Sequence, residues 1–277
     1  MTLLFVVELK GGLANRLRAL WSAHAFALRY RRAVVVLWPL TAELATPNGQ
    51  LFNLVSPVRL ITVNPSRPLQ RLALRLSRWL FSSFRLGLNR PVDPGEAWGR
   101  PLRFAPLWMP FQWIQTCAEF EDCGDQPAPF HPLPSIQRLS TARLAQARHT
   151  NAPLVGVHIR RGDHRHAIAN STTSAFLTAM HERLIASPTT HFLLCTDDPL
   201  EVGPLRAEFG ERLFASPPAC LDRSHPQAGI DAFVEFLTLA GCDAILGSLQ
   251  SSFSLLAARI GSVPISIVVP PDGKVVS

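Results

Sequence analysis

The sequence predicts an α/β protein of two half-length domains, each built on a parallel sheet, with a cleft where the carboxyl ends of the sheets face each other. Three observations predict it. Apolar runs of strand length alternate with helix-periodic stretches along the chain, the pattern of a parallel sheet. The same opening, a strand running into a glycine-containing turn, occurs near the N-terminus and again from Leu154. Between them lies a proline- and tryptophan-rich stretch that resists regular structure. Residues 1–134 are therefore expected to form one domain and 135–277 the other.

The 277 residues suffice for two domains with a substantial core, and an apolar content of 47% marks a globular chain. The net charge of +7 comes from arginine, since only Lys10 and Lys274 are lysines. That balance fits anionic partners: nucleic acid, phosphorylated metabolites or acidic membranes. No nucleic-acid motif and no basic–aromatic interleaving is present, so nucleic acid is not an expected partner. The five cysteines are odd in number and widely spaced, which predicts neither disulfides nor a zinc site. Cys195 and Cys242 sit in apolar surroundings and are expected to be buried. The N-terminal apolar run is broken by Glu8 and Lys10, and no uninterrupted apolar span reaches about 18 residues. A cytoplasmic location is expected.

Residues 3–9 read as a strand and Lys10-Gly11-Gly12 as a turn. The spacing of Leu13, Leu17, Leu20, Trp21, His24, Ala25 and Leu28 predicts the helix that follows. The glycines permit positive φ and close backbone approach, and the helix start offers N–H groups to an anion. The pattern is neither G-x-G-x-x-G nor G-x-x-x-x-G-K-[ST], so it supports neither an NAD site nor a P-loop. Strands follow at 33–38 and 58–63. Over 69–85, Leu69, Leu72, Leu76, Trp79, Leu80 and Phe84 recur at helical spacing among Arg71, Arg75, Arg78 and Arg85. This basic amphipathic helix is either an ordinary surface helix or one whose outer face contacts a membrane or an acceptor. Trp98, Trp108 and Trp113 cluster in the proline-rich stretch from 91 to 134, and 123–134 reads as an interdomain linker.

After a helix over 135–150, the second series begins. It comprises strand 154–159, helix 173–186, strand 191–196, a short helix 200–209, helix 229–240, strand 244–246, helix 251–260 and strand 264–269. Strand 154–159 is apolar on both faces and ends at Arg160, Arg161, Gly162 and Asp163. Charges just past a central parallel strand point into the binding crevice of an α/β sheet. Arginine's planar fork holds two phosphate oxygens and does not lose its proton. The plainer reading is that Arg160 and Arg161 pair with Asp163 or Asp197 at the surface. Asp197 and Asp198 end the next strand, where they could bind a metal, accept from hydroxyls or cap a helix. Asp231 lies in a helix's first turn and could complement its dipole. Gly247-Ser248-Leu249-Gln250-Ser251-Ser252-Phe253-Ser254 opens another helix and suits either a phosphate or a serine cap.

These four pieces in this order resemble the GDP-fucose-dependent fucosyltransferases, the superfamily of α1,2-, α1,6- and protein O-fucosyltransferases that includes the nodulation-factor enzyme. Gly11-Gly12-Leu13-Ala14-Asn15-Arg16-Leu17 is similar to its G-G-L-G-N-[QR]-L, with Ala14 replacing glycine. His158 to Asp163 is similar to H-x-R-R-x-D, and Thr196-Asp197-Asp198-Pro199 to its [TS]-D-D segment. Asp231 through Ser252-Phe253-Ser254 is similar to its closing D-x-x-x-[LM]-x-x-C…S-S-F-S block.

The resemblance implies a GT-B fold of two Rossmann-like domains facing a central cleft. It implies a donor, GDP-fucose, in the C-terminal half, a glycan or other hydroxyl acceptor, inversion at the anomeric carbon, no metal and no further cofactor. Carried over, Arg160 holds the β-phosphate and stabilises the leaving diphosphate, Arg161 assists, and Asp163 serves structure or proton transfer. His158 and Asp231 contact guanine, and Ser251, Ser252 and Phe253 line the phosphate and base pocket. Asp197 belongs to the donor site, and Gly11, Gly12 and Asn15 approach the donor sugar. Asp163 and His166 are the nearest candidates for a general base. The helix-borne glutamate of one branch, about ten residues after the motif histidine, is not found. Another nucleotide sugar on the same scaffold, or a non-catalytic sugar-binding member, are the alternatives.

Overall fold

The computed structural model describes residues 4–83, 89–92, 111–149, 151–162, 164–215 and 220–270. Asp163, Arg85, Trp98, Trp108 and Lys274 lie outside them. The chain packs as two compact units, Met1–Leu133 with Asp222–Ile230, and Pro134–Leu221 with Asp231–Ser277.

The first unit contains β1 (Leu4–Leu9), α1 (Leu13–Tyr30), β2 (Ala33–Pro39), β3 (Phe52–Leu54), β4 (Arg59–Val63), α2 (Pro68–Ser83), β5 (Asn89–Val92), β6 (Phe111–Thr116) and β7 (Phe130–Pro132). Its five-stranded sheet is parallel in the order β4-β2-β1-β6-β5, and β3 pairs antiparallel with β7. β1 is central and buried, as a strand covered on both faces must be. α1 is buried over most of its length, and Phe26 stacks on Phe5 with ring centroids 4.4 Å apart. Burial of an aromatic pair on this scale supplies area and geometry together.

The second unit contains α3 (Pro134–Ala147), β8 (Leu154–Ile159), α4 (Arg165–Asn170), α5 (Thr173–Ala186), β9 (His191–Thr196), α6 (Val202–Phe209), β10 (Leu213–Ala215), most of α7 (Pro226–Ala240), β11 (Ala244–Ser248), α8 (Ser252–Gly261) and β12 (Ile265–Val268). Its sheet is parallel in the order β10-β9-β8-β11-β12. Every residue of β8 is buried. Val157, Ile159, Phe176, Met180, Phe192, Leu205 and Phe209 form the core of one sheet face.

Three expectations are corrected. The stretch 123–134 is not a linker: Val55 N–H donates to Pro129 O, β7 pairs with β3, and Leu133 N–H donates to Leu51 O. Pro132 lies in this two-stranded ribbon, in which each strand is an edge and a missing N–H is tolerated. Phe111–Thr116, read only as part of a loop-rich region, is a strand beside β1. Residues 222–230, assigned by sequence to the second domain, pack with the first. Ala45 N–H donates to Arg223 O, and Thr46 Oγ1 donates to Pro226 O. α7 accordingly starts at Pro226 rather than 229, with proline at its first position. Cys195 and Cys242 are buried free thiols, and burial pushes Cys242 up to about 12.

Candidate functional site

In the second unit the chain moves outward from β8 through β9 to β10, then returns to the other side of β8 as β11. The reversal creates a switch point between β8 and β11, where open α/β sheets bind ligands. Arg160 and Ser248 stand at those two strand ends. Ser248 ties them together, its hydroxyl accepting from Arg160 N–H at 2.9 Å and donating to His158 O at 3.1 Å. Sequence reasoning passed over Ser248 as a site residue, although its place at a strand end before Ser251 was a signal.

The two arginines diverge. Arg160 forms an ion pair with Asp197, and its side chain is 15% exposed. Arg161 turns inward: Nε donates to Glu201 at 2.6 Å, Nη1 to Ser171 O at 2.9 Å and Nη2 to Thr173 Oγ1 at 3.2 Å. Thr173 Oγ1 in turn donates to both Glu201 oxygens. A buried ion pair with this many satisfied donors holds its geometry. Asp197 links both arginines, because its Oδ1 also accepts from Arg161 N–H at 2.7 Å. Gly162 makes the turn possible: its φ is +45°, and a Cβ there would lie 2.8 Å from Asp197 Oδ2 and 3.4 Å from Arg160 Nη1.

His158 is buried and stacks on Phe253, with ring centroids 4.8 Å apart, while Nδ1 lies 3.4 Å from Ser251 Oγ. Burial, reinforced by the Arg160 charge, lowers His158 to about 3, so its imidazole is neutral. Gln250, at φ +56°, turns the chain from β11 into α8. Ser251 occupies the N-cap of α8 with its hydroxyl making no capping bond, so the first-turn N–H groups and the positive end of the dipole remain for another acceptor. Ser252 and Phe253 are half-buried in that turn. Asp231 is buried and accepts from Cys220 N–H at 3.0 Å. Asp198 caps the turn after β9, accepting from Leu200 N–H at 3.0 Å. His166 is exposed on α4.

Glu235 follows Asp231 by one turn, and its Oε1 is enclosed with no hydrogen-bond partner among the described residues. Burial raises its carboxyl to about 8, against the pull of Arg143 and with help from Asp231. The native state thus keeps a proton that the unfolded chain releases near 4.5, and stability falls as pH rises from 4.5 towards 8. Glu235→Gln is expected to stabilise the protein by about 2 kcal/mol at pH 8 and by nothing at pH 4. Urea melts at the two pH values measure this.

In the first unit, Gly11 has φ +78° and its N–H donates to Glu43 at 3.0 Å. Gly12 is the N-cap of α1, whose first turn carries no acidic residue. A Cβ at Gly11 would approach Asn15 Nδ2 to 2.8 Å. Arg16 fixes the loop from inside: Nε donates to Gly11 O at 2.7 Å, Nη1 to Pro39 O and Nη2 to Thr41 Oγ1 at 2.8 Å. Burial lowers it to about 10, leaving it charged. The structure therefore groups His158, Arg160, Arg161, Asp197, Asp231, Ser251, Ser252 and Phe253 in one unit and Gly11, Gly12 and Asn15 in the other. Among the described residues no cluster of three His, Cys, Asp or Glu side chains could hold a metal, and no helix is long and apolar enough to cross a membrane.

No family model matches the sequence, and no curated protein matches it. Solved structures do. The NodZ α-1,6-fucosyltransferase co-crystallised with GDP is 19% identical with a TM-score of 0.62, covering 94% of this chain and 93% of that one. NodZ from Bradyrhizobium gives 19% and 0.61, covering 94% of each chain. The Arabidopsis thaliana FUT1 mutant in complex with GDP is 14% identical at a TM-score of 0.64, covering 97% of this chain and 71% of that one. POFUT1 in complex with GDP is 12% identical at 0.60, covering 97% and 99%. The chain has the fold of these fucosyltransferases over nearly its whole described length.

Proposed function

We propose that the protein is an inverting, metal-independent glycosyltransferase of GT-B architecture, moving fucose from GDP-fucose to a hydroxyl of a glycan or other acceptor. The observation that carries this reading lies at the β8–β11 switch point, where Ser248 ties the turn that bears the Arg160 guanidinium to the strand that runs into the uncapped start of α8. The likeness to fucosyltransferases solved with GDP supports it.

In the reaction the acceptor oxygen bonds to the anomeric carbon while the bond from that carbon to the β-phosphate oxygen breaks. GDP leaves with the electron pair, and the acceptor proton passes to a base, for which His166 is the described candidate beside Asp163. Charge grows on the β-phosphate, so a preorganised guanidinium there lowers the barrier without acid catalysis. Arg160 supplies it, exchanging Asp197 for phosphate oxygens. Arg161 is a positioning residue that locks the turn. The neutral His158 ring and Phe253 line the base pocket, Asp231 accepts from the N1–H and N2–H₂ edge of guanine, and Ser251 and Ser252 donate to phosphate. Gly11, Gly12 and Asn15 serve the donor sugar. The enzyme works in the cytoplasm, with the exposed Leu69, Leu72, Leu76 and Trp79 of α2, flanked by Arg71 and Arg75, resting on an anionic bilayer.

A thermal-shift screen of nucleotides tests the donor. GDP at about a hundred times its Kd is expected to add about 2.7 kcal/mol of stability, while UDP and CDP add little. Equal stabilisation by UDP would remove the guanine assignment, and release of free fucose from GDP-fucose would separate an enzyme from a sugar-binding member.

A further inference from the structure

A cavity of about 260 Å³ opens in the first unit at the carboxyl ends of β1 and β2, against α2. Its size suits a sugar-sized headgroup rather than a larger ligand. Four cationic side chains line it, Lys10, Arg71, Arg75 and Arg78, against two carboxylates, Glu8 and Glu43.

Both carboxylates are already committed. Glu8 is buried and gripped by Arg78, whose Nε donates to Oε2 at 3.0 Å and whose Nη2 donates to Oε1. Trp113 Nε1 donates to Oε2 at 3.3 Å, and Lys10 Nζ lies 3.6 Å from Oε1. Glu43 accepts from Gly11 N–H. Arg71 and Arg75 remain, one turn apart on α2, with no side-chain hydrogen bond or ion pair to any described residue. Like charges at this spacing oppose the helix unless an anion sits between them. Two guanidinium forks around one small cavity match the oxygens of a phosphate group.

We propose that this cavity is an anion subsite of the acceptor site, and that the acceptor carries a phosphate. That the anion belongs to the acceptor rests on the donor lying in the second unit, as read above. The phosphate could be that of a soluble phosphorylated sugar or of a lipid headgroup, and the exposed apolar row of α2 borders the same arginines.

The test is binding to the full chain by calorimetry, with glucose 6-phosphate, glucose and GDP as probes, alongside sedimentation with vesicles of phosphatidylcholine with or without phosphatidic acid. Either the phosphorylated sugar or the phosphatidic acid vesicles should bind, glucose and pure phosphatidylcholine should not, and the double variant Arg71→Gln/Arg75→Gln should weaken that binding at least tenfold. Both residues are exposed, so the variant folds, and its GDP affinity should match the parent's. The subsite is overturned if neither phosphorylated probe binds, if glucose binds equally well, or if the double variant binds as the parent does. A GDP affinity that falls with the double variant would overturn assignment to the acceptor. Phosphorylated-probe binding by a protein that ignores GDP would sink the donor reading and leave the subsite standing.

Discussion

Arg160→Ala is expected to lower the rate of sugar transfer by about 10²–10³-fold or more, the loss seen when one preorganised donor is taken from a developing oxyanion. The fold should survive. The Arg160 and Asp197 side chains are 15% and 22% exposed, within reach of water, and after truncation Asp197 still accepts from Arg161 N–H. GDP affinity should fall less than kcat, because the charge on the β-phosphate is greatest as the bond breaks. Arg160→Lys should restore only part of the rate, since a point charge replaces a fork. Steady-state kinetics, with urea melts of each variant, measures all three. Near-normal turnover in Arg160→Ala would end the leaving-group assignment.

The second large effect is on stability. Arg161→Met is expected to destabilise the protein by about 3–5 kcal/mol, the loss that follows when one partner of a buried ion pair is removed. Glu201 would keep its charge inside the unit with Thr173 as its one side-chain donor among the described residues, and Ser171 O would lose the guanidinium. Adding Glu201→Met should recover part of the loss, and the cycle of single and double variants isolates the coupling. A well-folded Arg161→Met that has simply lost transfer would instead make Arg161 a reacting group. The neighbouring arginines thus answer to different assays, kinetics for Arg160 and denaturation for Arg161.

That division was only half legible in the sequence. The run from 154 to 159 is apolar on both faces, which predicts a central strand and charges at its end, and β8 has those bounds. Successive side chains alternate in direction, so of two adjacent arginines only one readily faces the ligand. Nothing local says which. The choice is made by Glu201, Ser171 and Thr173, up to 40 residues away. Ser248 was hidden for the same reason, its partners lying 88 and 90 residues upstream. Helix α5 and strand β9 carry complete local signals of period and bounding turn, and both match their expected spans. β6 does not: Phe111-Gln112-Trp113-Ile114-Gln115-Thr116 is polar for a central strand, and the surrounding prolines suggested a loop. The 222–230 segment escapes sequence reading because its attachment to Thr46 spans 180 residues and that to Ala45 is as distant.

Helix α7 gives that last point a wider meaning. Its residues 226–230 group with the first unit and the remainder with the second, although the helix is continuous from Pro226 to Ala240. No single cut separates the two units. A fragment of residues 134–277 would carry a helical turn stripped of Thr46, and one of 1–133 would lose the segment that covers it. Exchanging second units between proteins of this fold therefore requires that 222–230 travel with the first unit.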